Sequence, residues 1–268
     1  MTDRDGAGGG PHVVILGAGF GGLEAAKTLG ARGVRVTVID RQNHHLFQPL
    51  LYQVATAALS APHIAEPIRS ILSRFPSVSV RMGEVERIDP QARRLHCADG
   101  AELSYDWLIL ATGAKTGYFG HDDWARVAPG LKTIEDARQI RTRVLMSFEH
   151  AERCDDPAER ERRVTPAGIG GGPSGGELSG ALAERSRRTL ARDFRRIHPE
   201  AARILLVEAG PRLLSAFGEG SSDFARRRLE RLGVKVLTGR SVEAITAESL
   251  TVGGETLPVG LVVWAAGV

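Results

Sequence analysis

Cysteine is scarce in this chain. Only Cys97 and Cys154 occur in 268 residues, far apart and in no CxxC or metal-ligand spacing. That excludes a disulfide scaffold and suits a reducing cytoplasm. Lysine is scarce too: Lys27, Lys115, Lys132 and Lys235 stand among 35 basic residues, so positive charge is carried by arginine. A large excess of one sign is missing. The net charge of +3 is too small to argue for a nucleic-acid partner. Long hydrophobic runs are absent as well. The longest uncharged run, Leu46 to Ala65, is broken by Gln48, Pro49, Gln53 and Pro62 and makes a poor membrane span. The first ten residues have no apolar core, so no signal peptide is expected in them. Residues 1–11 are expected to be flexible. No metal site is expected: His44 and His45 are adjacent and not spaced as ligands on one helix face. With 42% hydrophobic and 25% charged residues, this is an ordinary globular chain, long enough for two domains.

Glycine, by contrast, is concentrated. His12-Val-Val-Ile-Leu16 is a short β-branched run of the kind that forms a buried parallel strand. Gly17-Ala-Gly-Phe-Gly-Gly22 follows, then a helical stretch with Leu23, Ala26 and Leu29 on one face. A second strand, Val34 to Ile39, ends on Asp40. Gly17 permits a tight turn, Gly19 lets backbone approach a pyrophosphate, and Gly22 lets helix pack on strand. The helix N-terminus offers free N–H groups to phosphates, and Asp40 can accept hydrogen bonds from a ribose.

The pattern repeats. Shifted by 153 residues, Gly17, Gly19 and Gly22 fall on Gly170, Gly172 and Gly175, and Glu24 falls on Glu177. Further on, Val78–Ile88 resembles Val234–Ile245, the turn signals Asp99-Gly100 and Gly253-Gly254 correspond, and Leu108–Gly113 parallels Val262–Gly267. The strand Arg203 to Val207 delivers Glu208, the counterpart of Asp40. The second copy fits less well. Gly175 to Glu208 is 33 residues, stretched by the arginine-rich run Arg185 to Arg196. Pro166 and Gly168 sit in the strand before the turn, where a central strand should have neither. The competing reading of this glycine-rich stretch is a linker.

The fold class expected is α/β, with two Rossmann-like dinucleotide-binding domains. The expected layout is an FAD-binding domain at 12–120, a connecting helical segment at 121–163 and an NADH-binding domain at 164–268. Two such units in one chain imply a flavoprotein, with FAD in one and a nicotinamide in the other. Glu208 favours NADH, because its charge repels a 2′-phosphate, while Arg212 nearby could soften that preference. Ile64, Ile68, Ile71 and Leu72 form a helical stripe. No cysteine follows the first acid, so thiol–disulfide chemistry is not expected.

The stretches Gly17–Ala26, Arg41-Gln-Asn-His-His-Leu-Phe-Gln-Pro-Leu-Leu-Tyr-Gln-Val-Ala-Thr56 and Leu131-Lys-Thr-Ile-Glu-Asp-Ala137 resemble the type II NADH dehydrogenases. That family comprises single-subunit, non-proton-pumping NADH:quinone oxidoreductases. The resemblance implies hydride transfer from NADH to FAD and then two electrons to a membrane quinone. It implies peripheral attachment at the cytoplasmic face of the membrane and a possible homodimer. By the same resemblance, Gly17, Gly19, Gly22, Asp40 and Arg41 bind FAD, with Gln48, Pro49 and Leu50 beside the flavin and Thr112 and Gly113 closing over it. Gly170, Gly172, Gly175, Glu208 and Gly267 bind NADH. Glu177 is the catalytic candidate, near nicotinamide and flavin; its alternative is a first-turn acid favoured by the helix dipole. Members of the family continue well past the position of Val268, which implies a C-terminally truncated chain with an incomplete first domain. The alternatives are a sulfide:quinone oxidoreductase and a truncated, non-catalytic nucleotide-binding fragment.

Overall fold

The apolar run ahead of the first glycine turn forms strand β1 (His12–Leu16) in a computed structural model that describes residues 10–267. Most of the expected flexible lead-in, residues 1–9, lies outside the described residues. The chain divides into two units. The first comprises residues up to Phe47 together with Ala65–Ala114; the second comprises Gln48–Ile64 and everything from Lys115 on.

In the first unit, β1 leads through the glycine turn into α1 (Phe20–Gly30) and β2 (Arg35–Asp40). A short hairpin follows, β3 (His44–Leu46) with β4 (Ala65–Pro67). The chain between them carries α2 (Leu51–Ala55) and belongs to the second unit. Then come α3 (Ile68–Leu72), β5 (Val78–Met82), β6 (Val85–Asp89), β7 (Arg94–Cys97), β8 (Glu102–Ser104) and β9 (Trp107–Leu110). The main sheet is parallel, in the order β5-β2-β1-β9, while β6-β7-β8 form an antiparallel meander. The core of the sheet is β-branched: Val13, Ile15, Val36 and Val38 pack with Leu23 and Ala26 of α1 and with Ile68 and Leu72 of α3. Each such fully buried aliphatic side chain contributes about 1.5–3 kcal/mol. The expected stripe of isoleucines is only partly helical. Ile64 is buried but precedes Pro67, and the helix starts only at Ile68.

The second unit has the same plan. Besides α2 it contains α4 (Ile134–Arg153), whose start is fixed by a capping box: the Thr133 hydroxyl accepts from the Asp136 N–H, and the Asp136 carboxylate accepts from the Thr133 N–H. Its buried face, Ile134, Ala137, Ile140, Val144, Phe148 and Ala151, recurs at helical spacing. After α5 (Pro157–Arg163) come β10 (Pro166–Ile169), α6 (Pro173–Glu184), β11 (Ile204–Glu208), α7 (Glu219–Arg231) and β12 (Val234–Thr238). The meander β13 (Val242–Ile245), β14 (Ser249–Val252) and β15 (Glu255–Pro258) leads to β16 (Leu261–Trp264). The parallel sheet runs β12-β11-β10-β16, the order of the first unit repeated. Even a register irregularity recurs, between Val85 and Arg87 in one meander and between Val242 and Ala244 in the other.

The glycine-rich stretch is therefore a strand, turn and helix, and the linker reading falls. β10 is central, with all four residues buried between β11 and β16. Pro166 is tolerated because it is the strand's first residue, paired with Leu261, where a missing N–H costs least. Gly168 leaves room for α6: an added Cβ would stand 3.0 Å from the Ser179 hydroxyl. The arginine-rich run accounts for the extra length. It continues α6 as a π-helical turn, Arg185–Thr189, and a 3-10 turn, Leu190–Arg192.

Candidate functional site

Each glycine turn leaves the C-terminal end of a central parallel strand and enters a helix. Gly17 has φ of +102° and Gly170 has +110°, a region open at little cost only to glycine. In both turns the chain runs against the strand beside it: a Cβ on Gly17 would overlap the Ala111 carbonyl, and one on Gly170 would lie 2.8 Å from the Ala265 carbonyl carbon. Gly22 and Gly175 are required for a different reason. A Cβ on either would overlap the carbonyl oxygen of Gly17 or Gly170, so the helix could not close onto its turn.

The middle glycines behave otherwise. Gly19 and Gly172 are the N-caps of α1 and α6, in extended backbone that any residue adopts. A Cβ on either would meet no atom of the chain within 4 Å. Neither helix start has a side-chain cap. The protein's own packing thus gives no reason for glycine at these two positions. An anion seated on the uncapped N–H groups does give one, because a Cβ there would fill the space a pyrophosphate needs. On this test both turns fit a dinucleotide.

The two acids hold their turns in the same way. Asp40, at the end of β2, accepts from the Ala18 N–H at 2.6 Å and the Gln42 N–H at 2.8 Å. Glu208, at the end of β11, accepts from the Gly171 N–H at 2.5 Å and the Gly210 N–H at 2.6 Å. Residues 18 and 171 are equivalent, yet one is alanine and the other glycine. At Gly171 a Cβ would come within 2.7 Å of Leu213 and 2.9 Å of the Glu208 side chain, so the longer acid demands the smaller partner. The carbonyl of each residue is also anchored: His45 Nδ1 lies 3.0 Å from the Ala18 oxygen, and the Leu214 N–H donates to the Gly171 oxygen at 2.8 Å. Ala18, Gly171, His45 and Leu214 are site-building residues that the glycine spacing alone does not reveal. The repeat alignment, which sets Ala18 on Gly171, was the available signal.

The remaining candidates are distributed as follows. Thr112 and Gly113 lie just beyond β9, with Gly113 at φ of +69°, and Gly267 lies just beyond β16 at the same φ. The Gly267 carbonyl accepts from the Gly117 N–H at 2.8 Å. Arg41 is exposed and 3.7 Å from Glu84. Gln48, Pro49 and Leu50 form a 3-10 turn within the second unit, where the Gln48 amide donates to the Lys132 carbonyl at 3.3 Å. They lead into α2, which packs against α4 and α6, the helix that carries Glu177. Glu177 lies in the second turn of α6, not the first, so the alternative reading of a first-turn acid favoured by the helix dipole does not hold; its counterpart Glu24 lies at the same place on α1. Glu177 is exposed, yet enough protein surrounds its carboxyl that desolvation raises its pKa above the ordinary glutamate value. No hydrogen bond or ion pair to it is found among the described residues. Also among the described residues, no group of three or more His, Cys, Asp or Glu could hold a metal, and no helix is long and apolar enough to cross a membrane. Cys97 is buried and Cys154 partly so, and both are free thiols.

Comparison with known proteins agrees with this architecture. The sequence profile described as pyridine nucleotide-disulphide oxidoreductase matches residues 11–268. The type II NADH:quinone oxidoreductase NdhA of Mycobacterium tuberculosis is 46% identical, over 97% of this chain and 57% of its own length. An external alternative NAD(P)H-ubiquinone oxidoreductase of Arabidopsis mitochondria, B2, is 32% identical, over 96% of this chain and 47% of its own length. The chain thus spans about half the length of the curated relatives it matches. Among solved structures, NDH2 of Plasmodium falciparum in complex with NADH superposes with a TM-score of 0.88 at 27% identity, covering 96% of this chain and 55% of that one. A sulfide:quinone oxidoreductase from Aquifex aeolicus shares the fold, with a TM-score of 0.75 at 19% identity, over 96% and 58% of the two chains.

Proposed function

Because the chain belongs to the pyridine nucleotide-disulphide oxidoreductase family, we propose that it works as an FAD-dependent NADH:quinone oxidoreductase. The observation that carries this reading is the duplicated glycine turn. Two uncapped helix N-termini are each reached across a glycine that the chain's own packing does not require. The relatives' names supply the donor and acceptor, NADH and quinone. In this reading residues 12–120 contain the FAD-binding portion and 164–268 the NADH-binding portion, joined by 121–163.

FAD, when bound, supplies a two-electron relay between the hydride donor and the quinone. The chain's residues bind and orient. Gly17, Gly19 and Gly22 leave the first helix start open to the FAD pyrophosphate, and Asp40 fixes the turn from behind, with Arg41 beside it. Gln48, Pro49 and Leu50 supply the flavin-side turn, and Thr112 and Gly113 line the exit of β9. Gly170, Gly172 and Gly175 do the same for NADH, with Glu208 behind the turn and Gly267 at the exit of β16. Glu177 is the group that holds or releases a proton near the reacting rings. Its raised pKa suits that task better than an ordinary surface glutamate does. A membrane quinone as acceptor fits peripheral attachment of the full-length protein at the cytoplasmic face of the cell membrane, with weak or no attachment through this chain alone; a homodimer is a separate part of the proposal, carried only by the family resemblance. A disulfide acceptor is disfavoured, since the two free cysteines are not a pair. The comparisons favour the NADH reading over a sulfide:quinone oxidoreductase.

The test is the visible absorption spectrum of the purified chain before and after anaerobic NADH. A flavin spectrum that bleaches with NADH is expected. A colourless protein that cannot be reconstituted with FAD would refute the reading for this chain.

A further inference from the structure

Beyond Glu208 the chain runs through residues 209–218 before α7 begins, and this loop is built around one guanidinium. Arg212 Nη1 donates to the carbonyls of Phe217 at 2.8 Å and Leu214 at 3.3 Å, and Nη2 donates to the Ser215 carbonyl at 2.8 Å. Three carbonyls from one short loop therefore converge on a single side chain. The fork geometry of arginine suits this, and a lysine has no equivalent. Leu214 is held in the left-handed region, at φ of +50°. Its N–H donates to the Gly171 carbonyl at 2.8 Å, while its neighbour Leu213 is buried against Gly171. The loop is thus hung directly from the turn that carries Gly170 and Gly172. The same turn is gripped from its other side by Glu208.

We propose that Arg212 is a positioning residue of the second dinucleotide site. It folds the 213–217 rim onto the glycine turn, and its charge, committed to main-chain carbonyls, is not offered to a 2′-phosphate. The proposal rests on the reading that this unit takes NADH. It reverses the expectation that Arg212 softens the preference for NADH: the guanidinium belongs to the loop, while the carboxylate of Glu208 is held by the N–H groups of Gly171 and Gly210.

The two roles differ in what they predict for the two coenzymes. A rim-forming arginine bears on both equally, whereas a phosphate ligand bears on NADPH alone. The experiment measures dissociation constants of NADH and NADPH by fluorescence titration for wild type, Arg212→Ala and Arg212→Lys. For Arg212→Ala both constants should rise by the same factor, about tenfold (about 1.4 kcal/mol), leaving the NADH-to-NADPH ratio unchanged. Arg212→Lys, which keeps the charge and loses the fork, should show a smaller common rise; it also serves if the alanine variant does not fold. A selective loss of NADPH binding in either variant would overturn the proposal by making Arg212 a phosphate ligand. Unchanged binding of both coenzymes would overturn it by showing that the rim does not bear on them. A wild-type chain that binds neither coenzyme would overturn the NADH reading itself, and the proposal with it.

Discussion

Replacing Gly172 with alanine separates what the second turn does for the fold from what it does for a ligand. Its backbone, φ of −73° and ψ of −178°, suits alanine, and the added methyl group meets no atom within 4 Å. Two small effects on stability oppose each other. Alanine is a poorer N-cap than glycine by up to about 1 kcal/mol. It also restricts the unfolded chain, which stabilises by about 0.4–1 kcal/mol. The net change should be under about 1 kcal/mol, a shift in melting temperature of no more than about 2–4 °C for a chain of this size. Binding should respond quite differently. The methyl group occupies the approach to the N–H groups of α6, and hydrogen bonds to a charged phosphate are worth about 1.5–3 kcal/mol each. A loss of one such bond raises the dissociation constant for NADH roughly 10- to 100-fold. Gly175→Ala is the control with the opposite profile. Its methyl group overlaps the Gly170 carbonyl oxygen, and overpacking of this kind costs about 1–3 kcal/mol or more. Thermal denaturation and NADH titration of the two variants form the assay. Wild-type NADH affinity in a folded Gly172→Ala protein would refute the assignment of this turn to the coenzyme phosphates.

The first turn should behave in parallel: Gly19→Ala should lose FAD, read as visible absorbance per protein, with little change in melting temperature, while Gly22→Ala should destabilise outright. Glu177→Gln should leave NADH affinity unchanged and lower turnover roughly a hundredfold if the carboxyl assists proton movement, checked by the split between kcat and KM. Because desolvation raises the Glu177 pKa, ionisation of this group opposes folding as pH rises past the ordinary glutamate range. The glutamine variant should therefore be slightly more stable at neutral pH, by thermal denaturation. Glu159 has the opposite sign. Hydrogen bonds from Arg162, with the charges of Arg162 and Arg163, lower its pKa below the ordinary 4.5. Its contribution, roughly 1 kcal/mol for a partly exposed pair, is present above the ordinary value and lost as pH falls through the lowered one. Glu159→Gln should then flatten the acid limb of the stability profile, and an unaltered limb would count against the ion pair.

Much of this protein was legible from local chemistry. Strand β1, the turn, helix α1 and the acid Asp40 follow from residues adjacent in sequence, because β-branching, glycine and helix periodicity act within a few residues. The repeat then carried the same inference to Gly170, Gly172, Gly175 and Glu208, and the resemblance carried it on to family and cofactors. Non-local packing decided the rest. Pro166 and Gly168 argue against a central strand when read alone. β10 is central nonetheless, since a strand's place depends on β11 and β16, and Ser179 of α6 occupies the space Gly168 leaves. The segment Gln48–Ile64 joins the second unit although it interrupts the first, because α2 packs on α4 and α6. Arg212 has the charge to bind a phosphate, but only the folded loop shows three carbonyls already holding its guanidinium. Sequence by itself determined the kind of site present, because a glycine turn is a short-range object. Tertiary structure alone decided which side chains remain free to act there, because a hydrogen-bond partner is set by what the fold brings near.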